Sequence, residues 1–429
     1  MAVTILLVVL VLGGLGGNVS QQWATLQFWG TFDDSSFYNE AIRDFEKINP
    51  RIKITYRQFN FEDYEKQLID SFAAGTGPDI WLMHNTWLPK HYDKIQPLPQ
   101  ELIEGEEKPI FTFREFKEQF VDTAVDDLTS GGKIYALPLY VDTLALYYNK
   151  DLLNSAGITV PPNNWDEFND AVKKLIILDE QGNIARAGAA IGTAKNINRS
   201  VDILMLLMLQ SGVKMTDIDD TYATFAKPVG GESVGEQALQ YYTDFARQSN
   251  EQLYTWNDRQ YYSIDAFIGG NAAMMFNYSH HIKTIRDKSA RFNFAVAPAP
   301  QISNAPFAVN FASYWVPTVS KQSQNSVTAW KFLTYLTSAK GATFYLGKSN
   351  RPSARRDLIE QQKTDPDMGV FAMQSLSARS WYQVDNSAIE TIFADMIDDV
   401  NFGRTTVRDA LGTAESKVTV LMSRSRSNF

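Results

Sequence analysis

The fold is decided by residues 25–83, TLQFWGTFDDSSFYNEAIRDFEKINPRIKITYRQFNFEDYEKQLIDSFAAGTGPDIWLM. Apolar and polar residues alternate over the first five positions and again over 52–56, which is the pattern of a β-strand. Between these strands, apolar residues recur every three or four positions over 37–48, as on one face of a helix. A second helical pattern ends at the turn GTGP, 75–78, and leads into a third strand. This alternation predicts a βαβαβ unit with a parallel sheet.

The composition limits the class of protein. The chain has 429 residues and a formal net charge of −9, with 44% hydrophobic and 21% charged residues. That length predicts two or three domain-sized units, or two large lobes, with cores of ordinary size. The acidic balance argues against non-specific binding to nucleic acid. Because the chain has no cysteine, disulfides, thiolate metal sites, cysteine nucleophiles and a lipid-modified cysteine are all excluded.

The amino terminus carries an unbroken apolar run, AVTILLVVLVL at 2–12, followed by a glycine-rich stretch at 13–17. An apolar run followed by small residues is typical of an export signal. The run is short for a membrane-spanning helix, which needs about 20 apolar residues. We therefore predict that residues 1–22 are a signal peptide or an amino-terminal membrane anchor. The alternative is a buried core strand or helix. With a signal or anchor, the rest of the chain would lie in the periplasm or at the cell surface.

The strand–helix alternation resumes at 135–148, and a helix follows with Asn164 as its predicted N-cap and Glu167 at the third position. The apolar run ILMLLML at 203–209 predicts a buried helix. From about Ser353 the chain is predicted to be mainly helical.

Five segments of the chain, taken in order, carry a resemblance to a known protein family. They are LQFW at 26–29, AGTGPDI at 74–80, YALP to LYYNKDL within 135–152 with WDEF behind it at 165–168, FIGGNAAMMFN at 267–277, and NFGRTTVRDAL at 401–411. With these segments in this order, the chain resembles the extracellular solute-binding proteins of ABC importers, family 1, the branch similar to maltose-binding protein. The resemblance extends from about residue 24 to the end.

The resemblance implies an α/β fold of the class II periplasmic-binding-protein type, in which two lobes each contain a mixed sheet flanked by helices and are joined by crossover strands. The implied boundaries are 23–140 plus 313–345 for the first lobe, 141–300 plus 346–429 for the second, and 301–312 for the crossover or hinge. A solute would bind between the lobes, beyond the carboxyl ends of the strands. Hinge closure would trap it, and the closed form would dock on the membrane permease of an ABC importer.

Sugars present CH faces that stack on aromatic rings, and hydroxyl groups that bind carboxylates, amides and guanidinium groups. Residues of these types are therefore predicted ligand contacts where they follow strands, match family contact positions or form aromatic and polar clusters. They are Trp29, Thr31, Asp33, Asn85, Trp87, Asp142, Trp256, Tyr278, His280, Tyr314, Trp315, Arg379, Trp381 and Tyr382. Asp142 matches an acidic ligand contact of the resembled family, and Tyr278 or His280 matches an aromatic stacking position.

Several candidates also have a purely structural interpretation. Asp33 and Asp34 suit the N-cap of the next helix as well as a ligand contact. Tyr314 and Trp315 lie in the predicted crossing segment, where core packing is an equal alternative. Arg351 is predicted to form a structural ion pair.

Other chemistries receive little support. The four histidines lack zinc-site spacing, so we predict no metal site. The GKS at 347–349 lacks the glycine that a phosphate-binding loop needs at position 342. A glycoside hydrolase needs only two suitably spaced carboxylates and stays open as a distant alternative. The prediction is a monomeric, non-enzymatic receptor, without a cofactor, for a carbohydrate, either an oligosaccharide or a glycerol-phosphate-like solute. Polyamine, iron and peptide are the alternative ligands.

Overall fold

The computed structural model describes residues 23–103 and 107–426. The predicted signal or anchor, residues 1–22, lies outside this part of the chain. Within the described ranges, no helix has both the length and the apolar character that crossing a membrane requires.

β-strands and α-helices are distributed along the whole described part of the chain. The strands are β1 (Ala24–Thr31), β2 (Ile52–Phe59), β3 (Ile80–His84), β4 (Thr129–Ser130), β5 (Lys133–Ile134), β6 (Ala145–Asn149), β7 (Ile177–Leu178), β8 (Ile184–Arg186), β9 (Met274–Asn277), β10 (Phe294–Ala297), β11 (Asn310–Phe311), β12 (Trp315–Val319) and β13 (Ala378–Arg379). The helices are α1 (Asn39–Ile48), α2 (Phe61–Ala73), α3 (Leu88–His91), α4 (Phe113–Gln119), α5 (Asp122–Leu128), α6 (Lys150–Ser155), α7 (Trp165–Leu175), α8 (Ser200–Gln210), α9 (Val234–Asp244), α10 (Ser263–Ile268), α11 (His281–Lys288), α12 (Ser326–Leu336), α13 (Ala339–Ser349), α14 (Arg356–Gln362), α15 (Gly369–Ser375), α16 (Asn386–Asn401) and α17 (Val407–Arg426). Three short 3-10 helices cover Ser35–Phe37, Asn85–Trp87 and Tyr92–Lys94.

The first sheet has the strand order β12-β3-β1-β2. β1 pairs in parallel with β2 and β3, which confirms the βαβαβ unit predicted from residues 25–83. β12 comes from much later in the chain and runs antiparallel to β3, so the sheet is mixed. α1 buries Ala41, Ile42 and Phe45, three apolar residues on one helical face.

The second sheet has the order β10-β6-β9 with antiparallel pairs. Parallel bridges from Ala187 to Ala272 and from Ala190 to Met275 make this sheet mixed as well. α8 is buried from Ser200 through Met208, as expected for a helix that is apolar all round, and it contacts α9 and α16. The buried helix predicted at 203–209 is therefore confirmed over most of its length.

Two hydrophobic cores define two lobes. Most of the first core lies in 26–141 and 312–359, and most of the second lies in 144–299 and 368–422. The chain thus crosses between lobes near 142, near 311 and again within 359–381. The crossing segments lie side by side, because β11 pairs with β13 and Thr143 bridges to Ala312. The predicted two-lobed α/β architecture with crossover strands is confirmed.

The packing of residues 346–359 differs from the lobe boundary that the resemblance implies. We predicted that 346–429 belongs to the second lobe, but residues up to Ile359 pack in the first core. A break after 345 would divide α13, which continues to Ser349. The chain then stays on the first lobe because the amide of Ala354 donates to the carbonyl oxygen of Leu139 at 3.3 Å. The first lobe therefore extends to about Ile359.

Candidate ligand-binding site

The carboxyl ends of the first lobe's parallel strands meet at one edge of the sheet. Phe32 and Phe61 follow the ends of β1 and β2, which pair in register. His84 ends β3, and its partner Trp315 begins the antiparallel β12. Four side chains from separate parts of the chain are thus brought to one edge, where α/β sheets bind their ligands.

Three of these side chains form an aromatic wall, defined here as Phe32, Phe61 and Trp315. Phe32 and Phe61 stack with ring centroids 5.0 Å apart and planes at 29°, and Trp315 meets Phe32 edge-on at 5.5 Å. The two phenylalanines are 52% and 51% exposed. Phe32 also has a φ of 64°, a left-handed conformation that costs a non-glycine residue about 1–2 kcal/mol. An exposed aromatic residue held in a strained conformation at this edge is a candidate ligand contact.

A chain of hydrogen bonds leads from this edge into the second lobe. His84 Nε2 lies 2.9 Å from Ser313 Oγ, Ser313 bonds the hydroxyl of Tyr278, and Tyr278 donates to Asp202 Oδ2 at 2.8 Å. Since Tyr278 uses its proton on Asp202, Ser313 donates to Tyr278 and the N–H of His84 donates to Ser313. His84 Nδ1 is then an acceptor for Thr86 Oγ1, at 2.8 Å. The chain fixes both the tautomer of His84 and the position of Asp202.

The second lobe contributes a polar pocket of about 290 Å³, defined here by Asn198, Arg199, Asp202, Glu390 and Thr391. Arg199 immediately precedes α8, and its guanidinium carbon lies 5.4 Å from the centroid of the Tyr278 ring. Glu390 comes from the first turns of α16. The charge of Arg199 lowers the pKa of His84, so this pocket and the edge of the first lobe are in electrostatic reach of each other.

Three imidazoles near the site are neutral at physiological pH. Burial, aided by Arg199, lowers the pKa of His84 to about 3. Burial likewise lowers the pKa of His281 to about 2. For His280, burial outweighs the attraction of Asp142 and lowers the pKa as well. These three imidazoles therefore bring no positive charge to the site.

Asp33 is engaged within the first lobe. It accepts hydrogen bonds from Arg351 at 3.1 Å, from Tyr345 at 2.7 Å and from Tyr38 at 3.3 Å. The structural ion pair predicted for Arg351 is confirmed. The N-cap interpretation is confirmed for Asp34, whose carboxylate accepts from the amide of Ser36 at 2.7 Å.

Thr31 and Asp142 are also buried. Thr31 is 1% exposed, and its hydroxyl has no hydrogen-bond partner within the described part of the chain. Asp142 accepts from the Ser279 hydroxyl at 2.7 Å, from the Ser279 amide at 3.1 Å and from the Thr143 amide at 3.0 Å. His280 Nδ1 lies 3.9 Å from Asp142 and is partly exposed. Asp142 thus ties a crossing segment to the loop that carries Tyr278 and His280.

A second groove, of about 730 Å³, is lined by both lobes and is called the rear groove. It is lined by residues that include Asn85, Tyr92, Asp127, Lys214, Trp381 and Tyr382. Successive residues of an extended chain point to opposite sides. Ser313 accordingly reaches His84, whereas Tyr314 donates to Asp127 Oδ2 at 2.8 Å.

The predicted contacts Asn85, Tyr314, Trp381 and Tyr382 therefore gather around the rear groove or Asp127, away from the aromatic wall. Arg379, next to this groove, is exposed and donates to the carbonyl oxygen of Ala378. Sequence patterns select residue types, but they do not tell which side of a crossing strand a residue faces.

Two of the predicted tryptophans pack within the lobes, and a third lies beside the aromatic wall. Trp256 is fully buried in the second core and donates to Asn196 Oδ1 at 3.1 Å. Trp29 packs against Phe59 with ring centroids 4.7 Å apart. Trp87 is 5% exposed, lies beside Trp315 and donates across the lobe boundary to Asn386 Oδ1 at 2.9 Å.

Phe32, Phe61, Arg199, Asp202 and Glu390 were not among the predicted contacts. Phe32 lies three residues after the strand predicted at 25–29 and directly follows the observed β1, and this position was the one available signal for it. Arg199 and Glu390 approach each other only after α8 and α16 have packed, and no local pattern marks that pairing.

The model of the bacterial extracellular solute-binding protein family matches residues 29–343 of the chain. The chain belongs to this family. It is accordingly a solute-binding protein and not an enzyme, and the family implies a periplasmic or cell-surface location.

This solute-binding protein is 28% identical to maltodextrin-binding protein MdxE of Bacillus subtilis over 350 residues, which are 78% of this chain and 75% of the relative. It is 24% identical to the sn-glycerol-3-phosphate-binding periplasmic protein UgpB of Escherichia coli O1:K1, over 94% of both chains. The solved structure of the sugar-binding protein MalE from Xanthomonas citri matches it with a TM-score of 0.78 at 20% identity, over 94% of this chain and 99% of that one. The structural likeness confirms the two-lobed fold.

Proposed function

We propose that this protein captures a carbohydrate between its lobes and delivers it to the membrane permease of an ABC importer. One observation carries the proposal: an exposed, stacked Phe32–Phe61 pair lies at the edge of the first lobe where the parallel strands end. The aromatic wall would stack on the CH face of a sugar ring. Arg199 would donate to sugar hydroxyl groups, and Asp202 and Glu390 would accept from them.

Contacts between the lobes support capture by hinge closure. Trp87 of the first lobe donates a hydrogen bond to Asn386 of the second. Lys90 Nζ of the first lobe lies 3.1 Å from Asp385 Oδ2 of the second. Both contacts are at the start of α16, and Glu390 follows about one turn later on that helix. Closing the lobes would therefore bring Glu390 towards the aromatic wall.

The names of the relatives agree with a polyhydroxylated ligand, since one is named for maltodextrin and another for sn-glycerol 3-phosphate. We further propose that residues 1–22 direct export or hold the protein at the membrane, and that it acts as a monomer.

A thermal-shift screen of the purified chain tests the proposal. The probes are neutral sugars, sugar phosphates, spermidine and ferric iron, because a ligand of the native state raises the melting temperature. We expect a sugar to raise it and to be recovered unchanged. A shift with spermidine or iron alone would overturn the carbohydrate assignment, and hydrolysis of the sugar would favour the distant glycosidase alternative. Loss of sugar uptake in cells that lack the protein tests delivery to the importer.

A further inference from the structure

We propose that Gln58 is a positioning residue of the ligand site. It holds the backbone of Phe32 in a strained turn, so that the Phe32 ring stands in the aromatic wall before a ligand arrives. The inference rests on the proposed function and adds to it how the contact surface of the first lobe is set.

Phe32 lies at the centre of a three-residue turn that follows from β1. The amide of Asp33 donates to the carbonyl oxygen of Thr31 at 2.7 Å, and φ of Phe32 is 64°. A hydrogen bond that spans three residues around a positive φ defines the rarer and more strained form of the γ-turn. Because the backbone of a residue sets the direction of its Cα–Cβ bond, a relaxed turn would move the Phe32 ring away from Phe61.

Strand β2 supplies two side-chain donors to this turn. Gln58 Nε2 donates to the carbonyl oxygen of Phe32 at 3.2 Å, and the hydroxyl of Tyr56 donates to the carbonyl oxygen of Asp33 at 2.7 Å. The two side chains lie on the same face of β2, because they are two residues apart. β2 pairs with β1 as far as Thr31, so both donors come from the strand directly beside the turn.

A glycine in β1 makes room for this arrangement. A Cβ atom on Gly30 would lie 2.4 Å from the hydroxyl oxygen of Tyr56 and 2.8 Å from Cδ1 of Leu82. Glycine within a strand often marks such a close approach. The residue at position 30 therefore allows the Tyr56 hydroxyl to cross over β1 and reach Asp33.

Gln58 is the donor whose removal leaves the core intact. Its side chain is exposed, whereas the ring of Tyr56 packs against Phe28 with ring centroids 5.0 Å apart. The peptide group between Phe32 and Asp33 has its N–H bonded to Thr31 and its carbonyl oxygen bonded to Gln58. Rotation of this peptide group would break both bonds, so Gln58 opposes relaxation of the turn.

The strain and the hydrogen bond are of similar size. A left-handed non-glycine residue costs a free energy of the same order as one hydrogen bond, which changes an equilibrium by about two- to tenfold. Removal of the Gln58 donor should therefore lower the fraction of molecules in which the strained turn is formed. The apparent affinity for a ligand that needs this turn falls in proportion to that fraction.

Fluorine NMR of the full chain without ligand, with 4-fluorophenylalanine at position 32, tests the hold on the ring. We expect one signal when Gln58 is present. Gln58→Met has a similar length but no N–H donor, so it should shift or split the signal. Gln58→Lys restores a donor and should move the signal back. Gln27→Met, at an exposed glutamine of β1, is the matched control and should leave the signal unchanged.

Titration calorimetry tests the consequence for binding. The titrant is maltotriose, or the neutral sugar that raises the melting temperature most. Gln58→Met should weaken binding by about two- to tenfold, and Gln58→Lys should restore most of the affinity. Combined with Phe32→Gly, the same Gln58→Met substitution should cost less than about twofold further, because the ring that Gln58 positions is then absent.

The outcomes separate this inference from the proposed function. An unchanged fluorine signal in Gln58→Met would show that Gln58 does not hold the turn, whether or not a sugar binds. A changed signal with unchanged sugar affinity, or an equal loss of affinity with Phe32→Gly, would show that Gln58 does not position the ring for the ligand. If the wild type binds no sugar, the proposed function fails and the positioning role fails with it.

Discussion

His84 Nε2 of the first lobe lies 2.9 Å from the hydroxyl of Ser313 in the crossing segment. This contact begins the hydrogen-bond chain that ends at Asp202, so each group in it orients the next. Four residues from distant parts of the sequence thereby connect the sheet edge of the first lobe to the polar pocket of the second through the crossing segment.

Ser313→Ala should weaken ligand binding with a small effect on folding. The substitution removes the central link of the chain, and one hydrogen bond contributes about 0.5–1.5 kcal/mol. Titration calorimetry should show several-fold weaker sugar binding. Ser155→Ala, at an exposed helix end in the second lobe, is the control and should bind normally. Equal affinities of the two variants would mean that the chain does not orient the site.

His84 should make the folded protein sensitive to acid. Its folded-state pKa of about 3 is below the ordinary value of 6.5, so the folded state disfavours the proton. Its contribution to stability is complete above pH 6.5 and is lost as the pH falls towards 3, at up to about 1.4 kcal/mol per pH unit. The melting temperature of the His84→Gln variant should therefore fall less than that of the wild type when the pH is lowered from 6.5 to 4. If the melting temperatures of the two proteins fell equally over this pH range, the low pKa of His84 would be contradicted, since all other titrating groups are common to both proteins.

Phe32→Gly should separate binding from stability. Glycine adopts φ 64° without strain, and little apolar burial is lost because the ring is 52% exposed. We expect the free energy of unfolding to stay within about 1 kcal/mol of the wild-type value. Sugar affinity should fall by about 0.5–1.5 kcal/mol or more, the range for an aromatic contact. Phe402→Ala, at a 54% exposed ring outside the site, should bind as the wild type does.

Asp142→Ala should destabilise the fold as well as the site. The carboxylate accepts from the amide and hydroxyl of Ser279 and from the amide of Thr143, and all of these groups are buried. Each buried donor left without an acceptor costs about 1–3 kcal/mol. Chemical denaturation should show a loss of that order, smaller for Asp142→Asn, which keeps one acceptor. A normally stable Asp142→Ala variant would mean that water replaces the carboxylate.

Trp87→Phe should weaken closure of the lobes. It keeps most of the ring packing beside Trp315 and loses the hydrogen bond to Asn386. Small-angle scattering with saturating ligand should show a larger radius of gyration, and affinity should drop by about 0.5–1.5 kcal/mol. Asn386→Ala should give a similar change. A closed, tightly binding Trp87→Phe variant would show that this bond does not hold the lobes together.

The first sheet was predictable because its information is local. The alternation of apolar and polar residues in 25–29 and 52–56 predicts two strands, and these pair in parallel. The spacing of apolar residues in 37–48 predicts the buried face of α1. The extent of the first lobe was harder to predict, because α13 and α14 join it through packing that the sequence does not display.

The candidate site was predictable only in part. Four of the predicted contacts lie in or beside the site: Trp87, Tyr278, His280 and Trp315. Trp256 was also predicted, because tryptophan rings stack on sugars, but it is buried in the core. An indole suits both environments, so only the tertiary structure separates them. Glu390 was missed because choosing one exposed position of α16 requires knowing which side of that helix meets α8.

Adjacent residues of the crossing segment face different sides, Ser313 towards His84 and Tyr314 towards Asp127 of the rear groove. Single substitutions can therefore change either groove while the other keeps its chemistry, and relatives can diverge independently on the two sides. A change in length has the opposite effect. Deleting one residue between Phe311 and Trp315 would shift the side chains of β12 to the opposite face of the strand. Selection should thus tolerate varied residues in this segment but hold its number of residues constant.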